Sequence, residues 1–186
     1  MRRSAFGLLF SLSVLALALI PLLGSGVTTV SANGGDVCIS INGDTKVDTI
    51  AGGASCFSFQ SDEGKPNIAR AYDGGTAIVG SGATDSGNTA TATGAGSFAY
   101  AYGGDNNTAT ATGADSYAFA YGGDNNTATA TGAGSYAESA FGDNNTTVAT
   151  GGGTASVYFG DNNTVTATGD CFVEAAYVSD QTLACP

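Results

Sequence analysis

The sequence predicts an all-β fold, a flattened β-solenoid or β-roll built from two-strand coils, and three observations lead to it. A phrase recurs between Asn88 and Gly169 in steps of 19, 19, 19 and 18 residues. Within each copy, threonine or aromatic residues alternate with alanine, which is the period of a β-strand. Glycine, asparagine and aspartate separate these segments and tolerate the positive φ angles that chain reversals need. Each copy is therefore expected to supply two strands and two turns.

Stacking decides between two architectures. A parallel stack places threonine on threonine, aromatic on aromatic and asparagine on asparagine, whereas an antiparallel β-meander of hairpins would set threonine strands beside aromatic ones. We therefore favour the solenoid and keep the meander as the alternative. A stack has an open sheet edge at each end, and the cysteine-bearing flanks are the expected caps.

Residues 1–32 are predicted to be a signal peptide. Arg2 and Arg3 precede a mainly apolar segment, Ala5 to Leu23, and small residues follow at Val30 to Ala32. A retained membrane anchor is the alternative, because the apolar segment is close to the length of a spanning helix. Cleavage would leave three basic residues against all 16 acids, a formal charge of −13.

The remaining chain divides into an N-terminal cap region (residues 33–75), a β-repeat region (residues 76–169) and a C-terminal cap (residues 170–186). Asn42-Gly43, after the alternating segment Val37 to Ile41, predicts a β-hairpin. Ile68 to Tyr72 matches Phe98 to Tyr102 position for position, so we interpret it as a degenerate copy of the aromatic strand.

The predicted strands of the first regular copy are Thr89 to Thr93 and Ser97 to Tyr102. Alanine is expected inside and threonine outside. In the aromatic strand, Glu138 and, by the alignment above, Arg70 share a column with aromatic residues, and an unpaired buried charge is costly. We therefore expect an exposed aromatic stripe, which is the candidate binding face. Its residues are Tyr100, Tyr102, Tyr117, Phe119, Tyr121 and Tyr136.

Composition excludes several functions. The acidic chain offers no basic patch that could neutralise phosphates, so no nucleic-acid partner is expected. The chain contains no histidine and no recognisable nucleophile or general-base arrangement, so no enzymatic activity is expected. Isolated acids such as Glu138 and Glu174 are interpreted as solvated.

Four cysteines in an exported chain predict disulfides rather than a metal site. Three pairings are open, and we prefer the local pairs, Cys38 with Cys56 and Cys171 with Cys185, because each closes a short loop beside the repeats.

The repeats suggest two further candidate ligands, calcium and ice. Aspartates recur at one turn, and carboxylate oxygens there could hold calcium; these residues are Asp105, Asp124, Asp143 and Asp161. The turns resemble the calcium-binding β-roll repeats of exported toxins and proteases, but the second turn of each coil lacks that motif. Turn geometry with an asparagine ladder is the preferred interpretation, so no cofactor is required.

The rows of Thr-x-Thr-x-Thr, with hydroxyls about 7 Å apart along strands and 4.8 Å across them, resemble ice-binding solenoids.

Wider resemblances cover only the repeats. Gly94 to Gly103 is similar to the head repeats of trimeric autotransporter adhesins, and Tyr102 to Asn106 is similar to the curlin repeat of bacterial surface amyloid. The whole chain resembles small exported proteins of unknown function from mycobacteria and their relatives.

We therefore expect a secreted or cell-envelope β-repeat protein with a non-catalytic structural or adhesive role. Its expected partner is an envelope or extracellular polymer or protein, including a second copy of itself, with no membrane span after signal cleavage. The alternatives are an amyloid-like surface fibre subunit and a calcium- or ice-binding repeat module.

Overall fold

The computed structural model describes residues 36–48, 53–61 and 65–186, and these residues form strands and turns with no helix. The strands, in chain order, are β1 (Val37–Ile41), β2 (Asp44–Asp48), β3 (Ser55–Ser58), β4 (Ile68–Tyr72), β5 (Thr76–Val79), β6 (Thr89–Thr93), β7 (Phe98–Tyr102), β8 (Thr108–Thr112), β9 (Tyr117–Tyr121), β10 (Thr127–Thr131), β11 (Tyr136–Ala140), β12 (Thr146–Thr150), β13 (Thr154–Tyr158), β14 (Thr164–Thr168), β15 (Phe172–Ala176) and β16 (Thr182–Cys185).

The strands form two sheets, and each coil of the solenoid contributes one strand to each sheet. One sheet has nine strands in the order β16-β14-β12-β10-β8-β6-β4-β1-β2, and the other has seven in the order β15-β13-β11-β9-β7-β5-β3. The strands β3 to β16 pair with one another only in parallel, so the described chain winds through seven two-strand coils. This confirms the predicted solenoid and rules out the meander.

The core between the sheets is made of alanine columns. In β6, β8 and β10 both alanines are fully buried while the threonines point outward. Ala99, Ala118 and Ala137 form the facing column of the other sheet and are equally buried. Because alanine removes little apolar area from water, hydrogen-bonded ladders must carry a large share of the stability. The prediction of alanine inside and threonine outside is confirmed.

An asparagine ladder runs along one turn of the solenoid. Its members are fully buried, and each precedes a strand of the nine-stranded sheet: Asn67, Asn88, Asn107, Asn126, Asn145 and Asn163. The backbone N–H of Asn126 donates to the side-chain oxygen of Asn107 at 3.0 Å. The Asn126 side-chain nitrogen donates to the carbonyl of Gly142 at 2.6 Å. Repeated in successive coils, these bonds fix the pitch of the stack.

The two ends of the solenoid are built differently. At the N-terminal end, β1 pairs antiparallel with β4, and β2 folds back on β1 through Asn42 and Gly43, as the hairpin prediction required. At the C-terminal end, β15 and β16 extend both sheets in parallel register as a seventh coil. The disulfides follow the preferred local pairing, with Cα–Cα distances of 5.5 Å for Cys38–Cys56 and 6.3 Å for Cys171–Cys185.

One predicted alignment is wrong. Ile68–Tyr72 stacks on Thr89–Thr93 in the nine-stranded sheet, not on the aromatic strand, so Arg70 is in register with Thr91. The aromatic strand Phe98–Tyr102 stacks instead on Thr76–Val79. The alternation of apolar and polar residues fits either sheet, and only the pairing decides between them.

The predicted signal segment, residues 1–32, lies outside the described residues. Within the part of the chain that the structure describes, no helix has the length and apolar character needed to span a membrane.

Candidate functional site

The outer side of the seven-stranded sheet carries most of the aromatic residues. We define the aromatic face as the outward rings of β7, β9, β11 and β13, which are Phe98, Tyr100, Tyr102, Tyr117, Phe119, Tyr121, Tyr136 and Tyr158. All six residues of the predicted binding face belong to it. Parallel register sets Phe98, Tyr117 and Tyr136 in one column, with Tyr100 and Phe119 in the next.

The rings of the aromatic face contact one another across coils. The centroids of Phe98 and Phe119 are 5.6 Å apart, and those of Phe119 and Tyr136 are also 5.6 Å apart. Tyr102 and Tyr117 are exposed, while the other predicted residues are half-buried. The stripe is therefore outward-facing and self-packed, which makes it more rigid than isolated exposed rings would be.

Glu138 replaces an aromatic ring in the middle column of this face. Its side chain is only 6% exposed, because three tyrosine hydroxyls close around the carboxylate. Tyr121 donates to Oε1 at 2.6 Å, Tyr136 donates to Oε2 at 2.5 Å, and Tyr158 also donates to Oε2. We call these four residues the Glu138 cluster. The interpretation of Glu138 as a solvated acid is wrong, although its column does face outward.

The tyrosines of the Glu138 cluster resist ionisation. Desolvation by burial, followed by the hydrogen bond to Glu138 and its negative charge, raises the pKa of Tyr158 to about 12. The same causes raise the pKa of Tyr121 and Tyr136. A phenolate would lose its hydrogen bond to the carboxylate and repel it, so the neutral donors are stabilised.

A column of stacked rings, which the sequence analysis missed, runs along the turn beside the aromatic face. We call Phe141, Phe159 and Tyr177 the aromatic turn column. Phe141 and Phe159 stack with centroids 4.9 Å apart and planes 8° apart, and Phe159 and Tyr177 stack at 5.1 Å and 11°. The edge contact of Tyr121 with Phe141, at 5.2 Å, joins the column to the aromatic face. The rings remain exposed, by 46%, 49% and 78% in chain order.

The backbone at the aromatic turn column is strained. Phe141, Phe159 and Tyr177 have φ angles of 55°, 53° and 55°, in the left-handed region that bulky residues rarely adopt. Two earlier coils place Gly103 and Gly122 at the equivalent position, one residue after the strand, with φ of 69° and 74°. The turn therefore accepts glycine without strain, and the rings are present despite a conformational cost.

A signal for this column was available in the sequence. The turn that reads Gly-Gly-Asp at residues 103–105 and 122–124 reads Phe-Gly-Asp at residues 141–143 and 159–161. An aromatic residue is unfavourable at a turn position where glycine is preferred. Turn formation therefore does not explain the aromatic residues at these positions.

The aspartates predicted as calcium ligands form hydrogen bonds between coils. The backbone N–H of Asp105 donates to Oδ1 of Asp124 at 2.8 Å, and that of Asp124 donates to Oδ1 of Asp143 at 2.8 Å. Asp143 donates in the same way to Asp161 at 2.9 Å. In residues 36–48, 53–61 and 65–186, no three or more histidine, cysteine, aspartate or glutamate side chains are grouped to hold a metal ion. The geometry fits the turn interpretation, and calcium binding stays a prediction.

The cysteines are not available as nucleophiles or metal ligands, because all four of them form the two disulfides. The aromatic face and the aromatic turn column together offer apolar rings, phenol hydroxyls and one buried carboxylate. Comparisons with family models, with curated proteins and with solved structures find no match to this chain.

Proposed function

We propose that the protein is an exported, non-catalytic structural or adhesive component of the cell envelope or extracellular matrix. In this proposal it holds an insoluble polysaccharide of the envelope on the aromatic face and the aromatic turn column. The apolar faces of sugar rings pack against aromatic side chains, and the phenol hydroxyls at the border of the face supply polar contacts.

The observation that carries the proposal is the strained aromatic turn column. Three bulky residues hold φ angles of 53° to 55° where glycine serves two earlier coils. Backbone strain that a sequence could remove with glycine is characteristic of functional positions. The rings are also exposed next to the aromatic face, and contiguous exposed apolar surface marks interaction sites.

Two further features support the proposal. The paired disulfides are typical of proteins that work in an oxidising compartment outside the cytoplasm. The strongly acidic character, a formal net charge of −11, keeps free copies apart and disfavours binding to anionic membranes. Neither of these electrostatic effects opposes binding to a neutral or weakly charged polysaccharide.

The test uses protein purified after expression of the full chain and measures its co-sedimentation with purified cell envelopes, peptidoglycan, chitin and cellulose. The variant replaces the whole column, Phe141→Gly, Phe159→Gly and Tyr177→Gly. We expect the wild type to sediment with at least one polymer and the variant to stay in the supernatant. Because glycine relieves the strain, the variant should melt at a temperature equal to or above that of the wild type.

Thr110→Ala is the matched control, since Thr110 lies on the outer side of the opposite sheet and should leave binding intact. A wild type that sediments with none of the four materials contradicts the adhesive role. Undiminished binding by the glycine variant contradicts the assignment to the aromatic turn column.

The last coil favours a second candidate function, a self-assembling surface fibre. β15 and β16 are the outermost strands of their sheets, and no further strand pairs with them among the described residues. In-register strands with open edges can template additional strands. Seeded growth detected by thioflavin fluorescence, with fibres in negative stain, would support this function. A protein that stays monomeric after seeding would exclude it.

A further inference from the structure

Five neighbouring strands of the nine-stranded sheet carry a regular array of threonines on their outer side. We define the threonine face as the outward positions of β6, β8, β10, β12 and β14. These positions are Thr89, Thr91, Thr93, Thr108, Thr110, Thr112, Thr127, Thr129, Thr131, Thr146, Val148, Thr150, Thr164, Thr166 and Thr168. The face lies on the opposite side of the alanine core from the aromatic face, so its function is independent of the one proposed above.

The threonine face repeats in two dimensions. The strands pair in register, so that Thr91, Thr110 and Thr129 form one straight column, with parallel columns on either side. Neighbouring strands are about 4.8 Å apart, and successive outward residues on a strand are about 7 Å apart. The face is therefore a lattice of three columns and five rows.

The residue types on the threonine face are more restricted than strand formation alone requires. Every one of the fifteen positions is β-branched and carries a methyl group, and all but Val148 also carry a hydroxyl. Val148 keeps the shape of threonine and loses only the hydroxyl. None of these fifteen positions is charged, although the chain has a formal net charge of −11 and solvated strands usually include charged residues. Arg70 lies next to the face, on β4, where it extends the column of Thr91.

The support beneath the face keeps the lattice regular. The alanine pairs below β6, β8 and β10 are fully buried, and β-branched side chains have few χ1 states. At the turn that leads into each of these strands, the asparagine ladder repeats the same hydrogen bonds from coil to coil. The backbone positions of the face therefore repeat from row to row, and their side chains have few alternative conformations.

We infer that the threonine face binds ice. Only a ligand that repeats in two dimensions can contact all rows and columns at once, and both spacings of the lattice are close to those of the water oxygens on a prism face of ice. Methyl groups restrict the adjacent water, and the hydroxyls hydrogen-bond to it. An uncharged face suits this ligand, since ions are poorly accommodated in ice.

The test measures thermal hysteresis and the shape of single ice crystals with protein purified after expression of the full chain. The variant Thr110→Tyr/Thr129→Tyr places two large side chains in the middle column. Thr154→Tyr makes the same change on the outer side of β13, in the other sheet, and is the matched control. We expect hysteresis and faceted crystals with the wild type and the control, and loss of both with the double variant.

A second variant, Thr110→Ser/Thr129→Ser, removes only two methyl groups and covers the case in which the tyrosine variant fails to fold. Reduced hysteresis in this folded variant, as judged by far-UV circular dichroism, supports the inference. Absence of hysteresis in the wild type overturns it. Hysteresis that survives both double variants also overturns it.

Discussion

The hydroxyl of Tyr121 donates a hydrogen bond of 2.6 Å to Glu138, which lies in the next coil and is 17 residues further along the chain. This bond links two coils through their outward side chains rather than through the core. Glu138 occupies a position that Phe119 fills in the preceding coil. An acid can replace a ring there only because tyrosine hydroxyls satisfy the carboxylate.

Glu138→Gln should lower the free energy of unfolding by about 2 kcal/mol, since hydrogen bonds to a charged group are the stronger kind. Urea unfolding measures the change. Glu174→Gln is the control, because Glu174 is in the same column two coils away and is exposed. Equal stability of the two variants would contradict a stabilising role for the Glu138 cluster.

Stability should fall at alkaline pH. The pKa of Tyr158 is raised from 10.0 in the unfolded chain to about 12 in the folded protein. The folded state therefore holds the phenolic proton more tightly, so this contribution is complete below pH 10.0 and is lost as the pH rises towards about 12.

Spectrophotometric titration of tyrosinate checks this second prediction. Some tyrosines of the wild type should ionise only well above the ordinary range, and Glu138→Gln should shift their ionisation to lower pH. A single unshifted transition in the wild type would rule out the shared hydrogen bonds.

The asparagine ladder should be sensitive to single substitutions. Asn126→Ala leaves the backbone N–H of Asn145 and the carbonyl of Gly142 without their partner, so we expect a loss of about 3 kcal/mol. Asn125→Gly is the neighbouring control, because Asn125 is exposed and has a φ of 58°, which glycine adopts freely. Chemical denaturation measures the free energy of unfolding of both variants. A loss from Asn125→Gly as large as that from Asn126→Ala would contradict a stabilising role specific to the ladder.

The disulfide of the last coil should act locally. Cys171→Ser/Cys185→Ser opens a link between residues 14 apart in sequence, which is worth about 3 kcal/mol in loops of this size. Because each coil contacts only its neighbours, hydrogen exchange should quicken in Phe172–Ala176 and Thr182–Cys185 while Thr127–Thr131 stays protected. Uniform acceleration along the chain would contradict local action.

Much of the architecture followed from the sequence, because the repeat period and the alternation are properties of single strands. Thr89–Thr93 and the hairpin at Asn42 are examples, since each pattern has one backbone interpretation. The placement of Ile68–Tyr72 was wrong because its alternation suits both sheets, and only the hydrogen-bonded partner distinguishes them.

The candidate site was predicted less completely. The outward aromatic residues were recognised from their alternation, but the burial of Glu138 depends on hydroxyls from three different strands. No local pattern shows such a convergence. Phe141 and Phe159 were missed because a turn was expected to carry glycine, and the departure from that rule was the signal.

Because the hydrogen bonds of the asparagine ladder repeat from coil to coil, the solenoid can become longer or shorter by whole coils. Removal of residues 108–126 would join Asn107 to Thr127 as it is now joined to Thr108, and Asn107 would find equivalent hydrogen-bond partners in the coil that follows. Gain or loss of 19 residues therefore alters the area of both faces in fixed steps without requiring a new core. Variation in surface area, rather than in shape, is the diversity that this fold permits most easily.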